Sequence, residues 1–199
     1  IGVELSDGAR QLRQYSIVGT TEETFTVAVQ RDGEVSSFLM DELETGSQVE
    51  ATLPAGDLVL QDDDAPVILV SQGIGSTPMA GMLAALVARS ATGGVPSVTA
   101  IHADAAPETY AQRDITESQV SALAENGEAR HIVRYRDNGE TVELAKMAEE
   151  GLIPQGAHWY LCGGSKFLQN LRDQLAEHSD ALSPKEIHFE LFSPNDWLI

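Results

Sequence analysis

The chain has 199 residues, 42% hydrophobic and 22% charged, which is ample for a buried core and ordinary for a globular protein. A formal net charge of −19 gives a surface that repels nucleic acid and anionic lipid and argues against docking an acidic redox partner. A single cysteine, Cys162, excludes an internal disulfide and a four-cysteine iron–sulfur cluster within these residues. No apolar run is long enough to cross a bilayer, and the N-terminus lacks a signal-peptide pattern, so a cytoplasmic location is expected. The five histidines are scattered, none at zinc-site spacing from a second histidine or a carboxylate, and no metal site is expected.

In chain order, residues 1–62 read as strands and turns. Strands are expected at residues 13–19, 25–30 and 49–53, with Phe25, Val27 and Val29 alternating as in a half-buried antiparallel sheet. A short helix is expected at residues 35–43, and Pro54-Ala55-Gly56-Asp57 is a turn. From Pro66 the texture changes. VILVS is a continuous apolar run, as in a strand buried on both faces. Met79, Met82, Leu83, Leu86 and Val87 then follow at helical spacing. Further strands are expected at 98–102, 130–134, 158–162 and 187–192, with helices at 117–124, 143–150 and 166–177 between them. That alternation predicts an open parallel α/β sheet. The expected division is 1–62 and 63–199.

Three loops could hold phosphate. GIGSTPM (residues 73–79) follows the first buried strand and opens a helix. Gly73 and Gly75 permit a tight turn and close approach to a ligand. Thr77 is the expected N-cap and Pro78 the first helical residue, with Ser76 beside them and free amides aimed at an anion. CGGS, with Cys162, Gly163, Gly164 and a capping Ser165, lies at the carboxyl end of another strand, the edge where open α/β sheets bind ligands. GEVSS (33–37) offers a third helix N-terminus, capped by Ser36 or Ser37. Each loop is also compatible with an ordinary strand-to-helix turn, and Cys162 with simple core packing.

The order of the motifs is more specific than any one of them. RQYS (13–16), GEVSSFL (33–39), PAGD (54–57), GIGSTPM (73–79), His102-Ala103, YLCGGSKF (160–167) and IHFELFSP (187–194) together resemble the ferredoxin–NADP reductase superfamily. Within it they resemble the reductase part of bacterial flavohaemoglobins, over essentially the whole chain. The resemblance implies an antiparallel FAD-binding β-barrel, followed by an NAD-binding domain with a five-stranded parallel sheet and helices on both faces. Only twelve residues precede Arg13, so the barrel is expected to be N-terminally incomplete. By the same resemblance Arg13 pairs with the FAD phosphate, Tyr15 stacks on the isoalloxazine ring, and Ser16 reaches flavin N5. The amides of Val35, Ser36 and Ser37 meet the pyrophosphate. Gly73, Gly75, Ser76, Thr77 and Pro78 form the nicotinamide-dinucleotide loop, with Cys162, Gly163 and Gly164 beside the nicotinamide. Glu190 and Phe192 form the pair near the flavin, where the aromatic makes way for the nicotinamide. Tyr15, Ser16, Glu190 and Phe192 are thus the expected reaction-centre residues. The chain departs from the family pattern at Ser37 for asparagine, Gly164 for proline and Ser193 for glycine. None of these removes a charge or ring that the chemistry uses.

The activity implied is hydride transfer from NADH to FAD, then electron delivery to a haem. That haem would lie in a globin domain absent from these residues, on the same polypeptide, with dioxygenation of nitric oxide as the overall reaction. His102-Ala103-Asp104 offers an acid and no adjacent cation for a 2′-phosphate, which favours NADH, while Arg113 further on leaves NADPH open. The alternatives are a reductase serving a separate oxygenase or iron–sulfur protein as its redox acceptor, and a non-catalytic module that keeps the fold.

Overall fold

The structure is a computed structural model and describes residues 1–192. Ser193, one of the departures from the family pattern, lies outside the described residues. The VILVS run becomes β5 (Val67–Gln72), with its first five residues buried. It is the middle of a five-stranded parallel sheet. β6 (Val98–Asp104) pairs on one side and β8 (His158–Gly163) on the other, with β7 (Ala129–Tyr135) and β9 (Glu186–Leu191) at the edges. The order is β7-β6-β5-β8-β9.

Alternation along β5 splits the core in two. Val67 and Leu69 pack under helices α2 (Ser76–Ser90) and α3 (Arg113–Ala124), against Met79, Met82, Leu83, Leu86, Val120 and Leu123. Ile68 and Val70 face α4 (Leu144–Glu149), α5 (Ser165–Glu177) and α6 (Ser179–Leu182), through Leu144, Met147, Leu171, Leu175 and Leu182. Burying each such side chain stabilises the fold by about 1.5–3 kcal/mol. Helices cover both faces, as the sequence predicts.

Before the parallel sheet the chain forms two antiparallel strand pairs. β1 (Gly2–Glu4) pairs with β2 (Arg10–Leu12), and β3 (Ile17–Thr20) with β4 (Phe25–Val27). Helix α1 (Glu34–Asp41) buries Val35 against Val3 and Leu5. Three strand expectations are corrected. The strand expected at 13–19 is broken, because β2 stops at Leu12 and β3 starts at Ile17. Arg13 closes the first pair through backbone bonds to Ile1, and Tyr15 and Ser16 then lie between ladders. The strand at 25–30 ends at Val27. Residues 49–53 form only an isolated bridge from Glu50 to Gly2, and Leu53 is 86% exposed. Pro54, lacking an amide hydrogen, cannot extend that pairing. Among the described residues no helix is long and apolar enough to cross a membrane.

The strand pairs are held to the parallel sheet through α2 and β3. A β-carbon at Gly81 would lie 2.1 Å from the Ile17 carbonyl oxygen, so only glycine lets the helix approach so closely. Gly81→Ala is expected to lower stability by about 1–3 kcal/mol through this overpacking. Gly93→Ala, at a position with open space around it, is expected to change little. Urea unfolding of the two variants beside the parent chain measures both.

Candidate functional site

The carboxyl end of β5 runs into Gly73, whose φ of 54° lies in the left-handed region that favours glycine. A 3-10 turn over Gly73–Gly75 follows, and α2 starts at Ser76. The expected cap therefore shifts. Gly75 is the N-cap, and Thr77 is inside the helix, buried, with its hydroxyl donating to the Ile74 carbonyl at 2.9 Å. Pro78 is the third helical residue, where its missing N–H leaves no extra orphan. The Ser76 N–H turns back onto the Gly73 and Ile74 carbonyls. The loop thus offers close backbone approach more than a row of free donors.

That approach is measured against the second loop. A β-carbon on Gly75 would sit 2.5 Å from the Cys162 carbonyl oxygen, and one on Gly163 would sit 2.9 Å from Phe167 Cδ1 and 3.1 Å from Gln72 Cβ. The two glycine loops therefore lie backbone to backbone. Gly164, in extended conformation, is the N-cap of α5. The expected capping by Ser165 does not occur, because Ser165 is already the first helical residue and no side chain caps that end.

β9 delivers the remaining predicted groups to the same edge. Cys162 pairs in register with Glu190, and Gly163 with Leu191. The Phe192 N–H donates to the Gly163 carbonyl at 3.0 Å, and its half-buried ring joins the α2 side of the core. Burial, reinforced by Glu190, holds the Cys162 thiol far above its usual range, so it is a protonated, fully buried group. Burial likewise pushes the Glu190 carboxyl upward.

Sequence reasoning missed a network beside these loops. Ser71 and His102 are register partners on β5 and β6, and Ser71 Oγ lies 2.8 Å from His102 Nδ1. His102 Nε2 lies 3.2 Å from Asp104 Oδ2, and the Tyr110 ring stacks on the imidazole at 3.6 Å. With Nε2 protonated toward Asp104, Nδ1 accepts the Ser71 hydroxyl. Burial drives the His102 pKa down to about 4 against the opposing pull of Asp104, and drives the Tyr110 phenol up to about 12. Asp104 also accepts the Ala105 N–H at 2.7 Å and the Thr109 hydroxyl at 2.5 Å. This carboxylate is largely committed to its own loop.

Arg13, Tyr15, Ser16, Val35, Ser36 and Ser37 form a second group. The Arg13 guanidinium donates to the Leu12 carbonyl at 2.9 Å and to Gln11 Oε1 at 2.7 Å, and among the described residues it has no carboxylate partner. Gln11 Nε2 donates in turn to Glu34 Oε2 at 2.7 Å, which ties Arg13 to the start of α1. Gly33, at φ 121°, is the N-cap there. Neither serine caps the helix as expected. Ser36 Oγ accepts the Asp32 N–H at 2.8 Å and donates to the Gly33 carbonyl at 3.1 Å, while the Ser37 N–H makes a helical bond to Gly33. Val35 points into the small core, leaving only its backbone for a ligand. Tyr15 is half-buried, and that burial raises its phenol against the lowering influence of Arg13. Ser16, also half-buried, directly precedes the Ile17–Gly81 contact, which links this group to the glycine loops. The histidines are less scattered than expected, because His158, Glu186 and His188 converge at the opposite edge of the sheet.

His102 supplies a pH test of this edge. Its folded pKa lies below that of an unfolded histidine, so the unfolded chain binds the extra proton first. Stability is expected to fall as pH drops from about 6.5 toward about 4, by up to about 1.4 kcal/mol per pH unit. His102→Gln is expected to flatten that part of the profile, read by urea midpoints at successive pH values.

No family model matches the chain. It is 31% identical over 196 residues to a flavohemoprotein of Bacillus subtilis, covering 92% of this chain and 47% of that protein. A flavohemoprotein of Vibrio cholerae is 30% identical over 211 residues, covering 98% of this chain and 50% of the relative. The chain thus spans about half the length of the curated relatives it matches. Among solved structures, the FAD/NAD-binding domain of nitric oxide dioxygenase from Vibrio cholerae superposes with a TM-score of 0.79 at 25% identity, covering 97% of this chain and 82% of that one. A ferredoxin–NADP+ reductase from Plasmodium falciparum shares the fold, with a TM-score of 0.75 at 18% identity over 96% of this chain and 81% of its own. With both strand pairing and sequence in agreement, the chain has the fold of the ferredoxin–NADP reductases and is similar over nearly all its length to part of the flavohaemoproteins.

Proposed function

We propose that the chain is an NAD(P)H-dependent FAD oxidoreductase module that feeds electrons to a haem in a globin domain of the same polypeptide, with dioxygenation of nitric oxide as the overall reaction. The observation that carries this reading is the backbone contact of Gly75 with Cys162, which brings two glycine loops together beside Glu190 and Phe192. The residues present fit the cofactors. Arg13 is a permanent cation with no carboxylate partner among the described residues, suited to a phosphate. Gly73 and Gly75 leave no β-carbons between the loop backbone and a ligand.

When bound, NADH and FAD supply the hydride and electron transfer, and the protein supplies position and exclusion of water. Tyr15 presents a ring face for stacking, and Ser16 a hydroxyl within the same turn of chain. Phe192, tethered to Gly163, lies beside these loops and would have to move aside for a nicotinamide bound there. Glu190 lies beside these loops as a half-buried carboxyl whose pKa is raised by that burial, which eases proton uptake there. Cys162 acts through packing and its backbone, since its thiol stays protonated. NADH is favoured over NADPH because Asp104 and its loop present an acid at the strand end and no adjacent cation. Residues 1–62 and 63–199 are read as the FAD and NAD domains, and the location as cytoplasmic.

Anaerobic addition of NADH to the native-length polypeptide is expected to bleach the flavin band and raise ferrous haem bands. Bleaching without a haem signal would move the acceptor to a separate protein, and no bleaching would overturn the reading. Arg13→Gln is expected to weaken FAD binding about tenfold to a hundredfold, the loss of charge-assisted hydrogen bonds, measured by fluorescence on flavin release.

A further inference from the structure

The opposite edge of the parallel sheet carries a cluster that the redox reading leaves unused. His158 and Glu186 are the first residues of β8 and β9 and are register partners, and His188 follows two residues along β9, on the same face as Glu186. His158 Nδ1 lies 3.5 Å from Glu186 Oε2, and His188 Nε2 lies 3.4 Å from the same oxygen. All three ligand atoms fall within 4.8 Å of one another. In a tetrahedral zinc site with bonds of about 2.1 Å, neighbouring ligand atoms stand about 3.4 Å apart. Two of the three edges already have that length.

The protonation pattern makes the cluster unusual. His158 is almost wholly buried, its side chain only 3% exposed. Its Nε2 lies 3.0 Å from Asp63 Oδ2, and Asp63 also accepts from Lys185 Nζ at 2.5 Å. Asp63 thus faces both Lys185 and His158 as a hydrogen-bond acceptor. Nε2 of His158 therefore carries the proton, and Nδ1 turns a lone pair toward the Glu186 carboxylate. Both His158 Nδ1 and His188 Nε2 are buried atoms with no hydrogen-bond partner among the described residues. A lone pair on His158, an unpartnered His188 nitrogen and a carboxylate facing one another leave a place for a cation between them.

We propose that His158 Nδ1, His188 Nε2 and the Glu186 carboxylate bind a borderline divalent transition-metal ion such as zinc, leaving a fourth position for water. Asp63 is the outer carboxylate that orients His158, as metal-bound histidines commonly require. The Tyr160 ring, stacked on His188 at 4.8 Å with 12° between planes, fixes the second imidazole. Glu186 is 55% exposed, so the ion enters from solvent on the Glu186 side. Bound there, it clamps β8 to β9 at the end of the sheet away from the glycine loops. Imidazole and carboxylate ligands select zinc-like ions over magnesium, which prefers an all-oxygen shell.

The test titrates zinc into the metal-free, FAD-loaded native-length polypeptide by calorimetry, with thermal unfolding alongside. The wild type is expected to gain one equivalent that is lost in both Glu186→Gln and His188→Ala and retained in His178→Ala, a half-exposed histidine outside the cluster. Asp63→Asn is expected to weaken that equivalent about 10- to 100-fold. Far-ultraviolet circular dichroism and flavin content establish that each variant is folded. Zinc bound equally by the wild type and both ligand variants, or magnesium bound as tightly as zinc, would overturn the proposal. So would a folded wild type that takes up no zinc at this site. Because zinc uptake is read separately from flavin reduction, failure of one reading leaves the other standing.

Discussion

The close approach of Gly75 to the Cys162 carbonyl is the constraint from which the rest of the site follows. It falls where the strand order reverses direction, between β5 and β8. There the two outgoing helices take opposite sides. α2 packs on the face that holds Leu69, and α5 on the face that holds Val70. Helices diverging from adjacent strands leave a crevice between the strand ends. Two backbones can meet at its floor only without β-carbons, and this sets the glycines at 75 and 163.

The antiparallel part is attached to the crevice by the same means. Gly81 lies little more than one turn along α2 from Thr77, and its missing side chain admits the Ile17 carbonyl. The break between β2 and β3 then frees Tyr15 and Ser16 from ladder pairing just before that contact. Gln11 carries the organisation back to α1, accepting from Arg13 and donating to Glu34. A cation and a ring from the segment between β2 and β3, and the start of α1, are thus held on one short path.

The two ends of the parallel sheet differ in their electrostatics. At the carboxyl edge, burial keeps Cys162 and His102 in neutral forms and pushes Glu190 the same way, even though the chain carries a net charge of −19. At the amino edge, Asp63 stays ionised because Lys185 and His158 donate to it. An edge where burial disfavours charge suits flat aromatic cofactors, whereas an anchored carboxylate with inward-facing imidazoles suits a cation.

Much of this was legible in the chain itself, for local reasons. The VILVS run can only be a strand buried twice, and the spacing from Met79 to Val87 can only bury one helical face. Gly73 and the glycine pairs announce turns because their backbone needs are local. Helix caps were less legible. Whether Thr77, Ser36 or Ser165 caps depends on where the preceding turn ends, and in each case a glycine took the role. The strand expected at 49–53 failed because alternation alone does not supply a partner. Ser71 with His102, and His158 with Glu186 and His188, could not be paired from the sequence. Their neighbours are set by parallel register between strands 28 to 31 residues apart in chain, which only tertiary packing decides. The sequence by itself determined the alternation of strands and helices and the glycine loops, because these depend on side-chain period and backbone freedom. Only the tertiary structure decided which loops touch, which titratable groups lose their charge and which histidines meet, because burial and register belong to the folded sheet.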